Sequence, residues 1–191
     1  MLRESAVFSI MAEPVGDAVP MIRQLDPNDA EAWSSIRREM LERNPLAFGA
    51  SIPDEPEVLL ETARQRLTER AESAVLGAFD SSRLVGTVGV KRHEGLKERH
   101  KAFIWGMYVS ETHRGRGLGS LLLREAIDRA RSWDGLEQVH LTVSEVAIEA
   151  RRMYERHGFR AWGREPRALL WEGRAADEHH MVLTLRDSLV E

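Results

Sequence analysis

Val109-Ser-Glu-Thr-His-Arg114-Gly115-Arg116-Gly117-Leu118-Gly119-Ser120 decides how the rest of this 191-residue chain is read. An apolar run, Phe103 to Val109, feeds into it, and an amphipathic run, Leu118 to Trp133, leaves it. The stretch therefore reads as strand, glycine-rich turn and helix. Glycines at alternate positions let the backbone come close to a ligand, because no Cβ blocks the approach. The first amides of the helix have no internal partner and carry partial positive charge, and Arg114 and Arg116 add full charges. The result is an anion cradle suited to phosphate.

The spacing narrows the choice. A dinucleotide-binding turn needs G-x-G-x-x-G, and a P-loop needs G-x-x-x-x-G-K-[ST]. Here Gly115, Gly117 and Gly119 run G-x-G-x-G, so a nucleotide-binding reading fails on glycine spacing. The pattern R-x-x-G-x-G from Arg114 to Gly119 resembles the pyrophosphate-binding motif of the GNAT superfamily of acyl-CoA-dependent N-acetyltransferases. A second segment strengthens the resemblance. In that superfamily a strand and helix after the cradle typically read N-x-x-A-x-x-x-Y-x-x-x-G-F, and Ala150, Tyr154, Gly158 and Phe159 stand at the same spacing. Ala147 occupies the Asn position, a departure. The resemblance covers roughly residues 21 to 186. The wording Asn44-Pro-Leu-Ala-Phe-Gly and Ile104-Trp-Gly-Met-Tyr-Val109 is similar to a broad bacterial set of such enzymes.

Bulk composition suits one globular domain with a real core. Hydrophobic residues make up 42%, enough for a sizeable core, and 27 basic against 31 acidic side chains leave a net charge of −4. No clustered basic surface asks for nucleic acid. The chain has no cysteine, which excludes disulfides, thiolate metal sites and a cysteine nucleophile and fits a cytoplasmic location. No apolar run approaches the ~20 residues that would span a membrane. The histidines show neither His-x-x-x-His nor HExxH spacing, so no metal site is expected. Residues 1–20 lack the pattern of a secretory signal and read as an N-terminal extension, loose or docked on a partner, before a domain at 21–191.

Within that domain, Met21-Ile-Arg-Gln-Leu25 reads as the first strand, and Asp26-Pro27 as a helix start. Ala30, Trp33, Ile36, Met40 and Leu41 recur at helical spacing to about Arg43. Arg37 falls beside that stripe. Its stem can pack along the core with the head in water, or its charge can point into an acceptor pocket. Asp54 with Glu57 can cap a second helix ending near Ala71. Two strands, Ala74–Phe79 and Leu84–Val90, precede the strand that feeds the cradle, whose two faces are both largely apolar, as in a strand covered on both sides. After the cradle helix come Val139–Val143 as a strand, a helix from Val146 stopped by Gly158, and two last strands at Phe159–Trp162 and Met181–Leu185. Gly163 to His180 reads as a wide hairpin loop. The order β-α-α-β-β-β-α-β-α-β-β gives an α/β fold of the α+β type: a mixed, mostly antiparallel sheet of about seven strands with helices on both faces, the GNAT fold. The strand–cradle–helix–strand unit makes its two strands parallel.

The resemblance implies acetyl-CoA as cofactor, with CoA as product. Its pantetheine arm would lie against backbone groups of Met107 and Val109. Its pyrophosphate would sit on Arg114, Gly115, Arg116, Gly117, Leu118, Gly119 and Ser120. Arg114 stands at the family's R/Q position, and Arg116 either contacts phosphate or is simply solvated. Tyr154 would protonate the departing thiolate, although a tyrosine at this spacing can equally be a core residue. The missing Asn removes one amide partner of the cofactor, which Glu145 or Ser144 could replace. No carboxylate lies between Lys101 and Val109 to serve as base; Glu39, Glu42, Asp54, Glu55, His93, Glu94, His140, Ser144 or a water chain could take the proton. The expected activity is direct acetyl transfer to the amine of a small molecule or peptide, with a catalytically weak acyl-CoA sensor as the rival reading. The acids Asp54, Glu55, Glu57, Asp177 and Glu178 would tolerate a cationic acceptor, and Trp33, Phe48, Trp162 and Trp171 would suit an apolar one. The resemblance also allows a homodimer through the last strands or the N-terminal arm.

Overall fold

A computed structural model of the chain describes residues 20–55 and 59–185. The extension expected at 1–20 therefore lies outside the described residues but for Pro20, as does Glu57. Eleven main elements follow one another: β1 (Met21–Gln24), α1 (Ala30–Arg43), α2 (Leu60–Leu67), β2 (Ser73–Asp80), β3 (Arg83–Arg92), β4 (Lys101–Val109), α3 (Leu118–Arg131), β5 (Gln138–Ser144), α4 (Ile148–Arg156), β6 (Arg160–Trp171) and β7 (Arg174–Thr184). The strands form one sheet in the order β1-β2-β3-β4-β5-β7-β6. Only β4 and β5 run parallel. This is the mixed sheet expected from the sequence.

Local chemistry explains the entries into the helices. Asp26 is extended and accepts from the Asn28 amide (2.7 Å), while Asp29 reaches back to the Asp26 amide (2.9 Å). With Pro27 in the first turn, this capping box starts a short 3₁₀ turn that runs into α1. At the other end the Asn44 side chain donates to the Met40 carbonyl at 3.0 Å. The second helix begins at Leu60 with no side-chain cap and stops at Leu67, four residues before the expected end at Ala71, because Thr68 is already extended (ψ 131°). Asp54 closes a separate 3₁₀ turn, Ile52–Asp54.

Alternation along the strands divides the core into two layers. On one face Leu76, Ala78, Val88, Val90, Ile104, Val139, Leu141 and Val143 pack under Leu122, Ala126, Ile127 and Ala130 of α3 and Tyr154 of α4. On the other, Leu25, Val75, Phe79, Leu84 and Tyr108 pack under Trp33, Ile36, Met40 and Leu41 of α1 and Ala63 and Leu67 of α2. Helices thus cover both faces of β2 to β4, which is why β4 carries apolar residues at almost every position.

The region 163–180, expected as a wide loop, is instead a long two-stranded hairpin. Trp171 pairs with Arg174 across Glu172 and Gly173, whose φ values of 48° and 77° suit a tight two-residue hairpin turn. Shifts in register at Ala161/Gly163 and Glu165/Leu169 absorb Trp162 and Pro166, and Pro166 is tolerated because β6 is the sheet edge. Most of β6 is exposed, so it shows no apolar alternation.

Candidate active site

The site begins where two strands part. Parallel pairing of β4 with β5 covers only Lys101–Phe103 against Gln138–His140. Beyond Phe103 the β5-facing edge of β4 has no strand partner, while its other edge stays paired with β3 as far as Val109. An extra residue on β4 opens the gap. Trp105 faces Gly89 and Tyr108 faces Thr87, so three steps on β4 match two on β3. The bulge is built on Gly106, whose φ of +59° is one that L side chains rarely adopt.

A cavity of about 320 Å³ occupies the gap. Its walls include Trp105, Gly106 and Met107 of β4, Thr142 and Val143 of β5, Ala147, Ala150 and Tyr154 on or beside α4, Arg37 of α1, and Glu55 and Glu178. Ala147 and Ala150 leave the space beside Tyr154 open. The Tyr154 ring is buried and meets Phe159 edge to face, with centroids 5.9 Å apart. Its hydroxyl has no hydrogen bond to a described residue, and burial raises its pKa above the usual phenol value, so it holds its proton at neutral pH.

The cradle lies at the far end of β4. A 3₁₀ turn at Glu111–His113 leads to Arg114, whose amide still bonds to Glu111 (3.2 Å). Leu121 is the next residue whose amide finds a backbone carbonyl, that of Gly117 at 3.1 Å. Among the described residues, the amides between them, from Gly115 to Ser120, have no backbone partner, and α3 has no side-chain cap. Gly115 and Gly117 both have positive φ, 76° and 78°, with nothing within 4 Å of where a Cβ would stand. Leu118 is buried and anchors the turn; Gly119 and Ser120 are half-buried. A Cβ on Gly119 would lie 3.1 Å from the Met153 sulfur and 3.7 Å from Met107 Cε, which ties the cradle to the cavity wall. A run of unpartnered amides at a helix start, open to solvent on a glycine backbone, fits a pyrophosphate.

The two cradle arginines differ. The Arg114 Nε donates to the Val109 carbonyl at 2.9 Å, and its guanidinium lies 5.5 Å from the Tyr108 ring centroid. Arg114 is thus folded back onto the end of β4, while the Arg116 side chain, equally exposed, bonds to no described residue. At the missing Asn, Glu145 is already committed: it accepts from the Asp177 amide (3.0 Å) and pairs with Arg164 (3.2 Å). Ser144 Oγ is buried without a partner among the described residues.

The Arg37 head is not left in water. Its side chain is 6% exposed, it pairs with Glu55, its guanidinium lies 5.8 Å and 5.5 Å from the Trp33 and Trp105 ring centroids, and it lines the cavity. Of the candidate bases, Glu55 alone reaches the cavity, and it is held by Arg37. Glu39 instead accepts from the Tyr108 hydroxyl (2.9 Å), and burial with that bond pushes the Tyr108 pKa up to about 12. His140 bonds to Gln138 at 3.0 Å, and His140, Glu42, Asp54, His93, Glu94 and Ser144 do not line the cavity. Glu178, read from sequence as a loop acid, does line it from β7. The sequence signal that could have found it is weak: a two-residue Glu-Gly turn at 172–173 that would have paired the flanking segments.

Known proteins resemble this chain in sequence and fold. The sequence profile of the Acetyltransferase (GNAT) family matches residues 33–159. The L-amino acid N-acetyltransferase AaaT of Escherichia coli is 26% identical over 119 residues, 62% of this chain and 73% of that protein. The N-alpha-acetyltransferase 40 of Saccharomyces cerevisiae is 33% identical over 96 residues, 46% of this chain and 34% of that longer protein. Among solved structures, yncA, a putative acetyltransferase from Salmonella typhimurium solved with its cofactor acetyl-CoA, superposes with a TM-score of 0.76 at 21% identity, covering 91% of this chain and 98% of its own. No helix among the described residues is long and apolar enough to cross a membrane.

Proposed function

The chain belongs to the GNAT acetyltransferase family and is an acetyl-CoA-dependent N-acetyltransferase, and from that premise we propose that it acetylates the α-amine of an amino acid or a peptide by direct transfer. The observation that carries this reading is the cavity in the β4–β5 gap, with a buried, protonated tyrosine on its wall and the cradle one turn of chain away. The names of the two curated relatives, one acting on L-amino acids and one an N-alpha-acetyltransferase, support an α-amine.

The residues divide the work as follows. Amides of Gly115 to Ser120 hold the pyrophosphate, with Arg116 and Arg114 adding charge. Backbone groups of Met107 and Val109 on the edge of β4 that faces away from β3 hold the pantetheine arm, with Arg114 shifting from the Val109 carbonyl it now bonds. When bound, acetyl-CoA supplies the activated acyl group as a thioester. Backbone N–H groups at the β4 bulge polarise its carbonyl. Tyr154 gives its proton to the leaving sulfur. With no cysteine in the chain, the acceptor nitrogen attacks directly. The rival reading, a non-catalytic acyl-CoA sensor, finds less support, since the only departures behind it are Ala147 and the lack of a β4 carboxylate.

A panel of free amino acids, peptides with free N-termini and ε-amine acceptors, followed by thiol release, tests the reading. Turnover confined to α-amines is expected. Turnover only with ε-amines or polyamines overturns the α-amine assignment, and tight acetyl-CoA binding with no thiol release overturns the transferase mechanism.

A further inference from the structure

The sheet sorts the cavity-lining side chains onto two faces. On β5, Val139, Leu141 and Val143 face the α3–α4 core, so Gln138, His140, Thr142 and Ser144 face the other way. The unbroken register with β7 pairs Leu141 with Met181, also in that core, and pairs Thr142 with His180 and Ser144 with Glu178. Glu178 therefore stands on the face opposite Tyr154, together with Trp105 of β4, which packs with the α1–α2 core, and with Arg37 of α1. The gap between β4 and β5 joins the two faces through one cavity. The cradle and Tyr154 are on the α3–α4 side, so the cofactor fills that side and the acceptor is left with the other.

Two carboxylates line this cavity, Glu55 and Glu178. Glu55 is neutralised by its ion pair with Arg37. Glu178 makes no ion pair and no side-chain hydrogen bond with any described residue. We propose that Glu178 is the general base, taking the proton of the acceptor nitrogen from the face of the sheet opposite Tyr154. This rests on the transferase reading above. In the overall exchange the ammonium of the acceptor loses one proton to Glu178, which passes it to solvent. The free lone pair then forms the N–C bond to the acyl carbon, and the C–S bond breaks. The second nitrogen proton replaces the one Tyr154 has given to sulfur. Acetamide, CoA thiol and one released proton balance the step.

The electrostatic setting suits the task. Burial raises the Glu178 pKa above the usual glutamate value, and Glu165 across β6 raises it further, while His180 next but one on β7 opposes both. From the other elements around the cavity, Tyr154 of α4 is neutral and the Arg37–Glu55 pair is compensated. A carboxylate moved toward neutrality is a stronger base.

The test compares wild type with Glu178→Gln and Glu178→Asp, measuring kcat against pH with the best acceptor from the panel and acetyl-CoA affinity by calorimetry. In wild type, kcat should fall below the Glu178 pKa, because protonated Glu178 cannot accept. In Glu178→Gln, kcat should drop about 10²-fold and that acidic limb should vanish, while acetyl-CoA affinity stays within about threefold, which also reports an intact fold. Glu178→Asp should keep the limb at a reduced rate, and it carries the test alone if the glutamine variant does not fold. A Gln variant with near wild-type kcat and an unchanged limb, or an Asp variant without the limb, overturns the assignment while leaving the transferase reading intact. Wild-type protein that binds acetyl-CoA but releases no thiol with any amine overturns both.

Discussion

The Arg37 guanidinium lies against Gly106: a Cβ built on this glycine would come 2.8 Å from Arg37 Nη1. The contact joins α1 to the β4 bulge at the wall of the cavity. Gly106→Ala meets two penalties, the left-handed backbone (φ +59°) and the displaced arginine. The backbone term alone costs about 1–2 kcal/mol. Urea unfolding should show at least that loss, and thiol release should fall more steeply than stability because the bulge carbonyl and amide move with it.

Arg37 and Glu55 form a largely buried pair, their side chains 6% and 15% exposed. Removing one partner strands the other's charge. Arg37→Met should destabilise the protein by about 3 kcal/mol. The double variant Arg37→Met/Glu55→Gln should recover much of that loss, and equilibrium denaturation of the two singles and the double gives the coupling energy.

Tyr154→Phe removes a hydroxyl that bonds to no described residue, so thermal stability should change little. Loss of the acid should cut kcat by about 10²-fold with acetyl-CoA affinity within about twofold. The sign of the pH effect is fixed by the raised pKa: Tyr154 is the acid form below that value, so kcat should show no basic limb from it below pH ~10. Such a limb in wild type that disappears in the phenylalanine variant would contradict the assigned burial.

The cradle can be separated from the cavity with two thioesters. Gly117→Val places a branched side chain where the amides face solvent. Acetyl-CoA affinity should fall at least about tenfold, while a truncated thioester without the pyrophosphate, S-acetyl-N-acetylcysteamine, should react at close to the wild-type rate. Equal losses with both would place the anion elsewhere.

Asp29 links pH to stability. Its bond from Arg23 (2.6 Å), with a further one from the Asp26 amide, holds its carboxyl below its ordinary 3.8 despite burial. A depressed carboxylate stabilises the fold above the unfolded value and loses that contribution as pH falls through the folded one. Acid titration of wild type should therefore reveal a loss below pH 3.8 that Asp29→Asn lacks. At neutral pH the variant should be less stable by about 1 kcal/mol through the broken capping box.

What the sequence made legible follows from where periodicity and turn chemistry are strong. The cradle could be read because Gly115 and Gly117 must be glycine at their positive φ. The start of α1 could be read because Asp26, Pro27 and Asp29 each have one local task. The β6–β7 hairpin could not: most of β6 is exposed, so Arg164, Glu165, Asp177 and Glu178 look like a solvated loop while backbone ladders hold them in strands. Glu178 was hidden for that reason. Arg37 was ambiguous because spacing places a side chain beside a stripe but says nothing of a partner, and Glu55 lies eighteen residues away.

The ladder between β4 and β5 has only three residue pairs, Lys101–Gln138 to Phe103–His140. Past it, the two halves of the sheet lack the cross-strand bonds that would otherwise hold them together. A ligand that threads the opening and bonds to the free edge of β4 acts as a missing strand. Its binding energy then enters the folding equilibrium by mass action: at a hundred times its Kd it adds about 2.7 kcal/mol to the stability of the whole. Amide exchange at Met107 and Val109 should slow, and the melting temperature should climb, with the concentration of the thioester. How long each molecule stays folded would then depend on the supply of its own substrate.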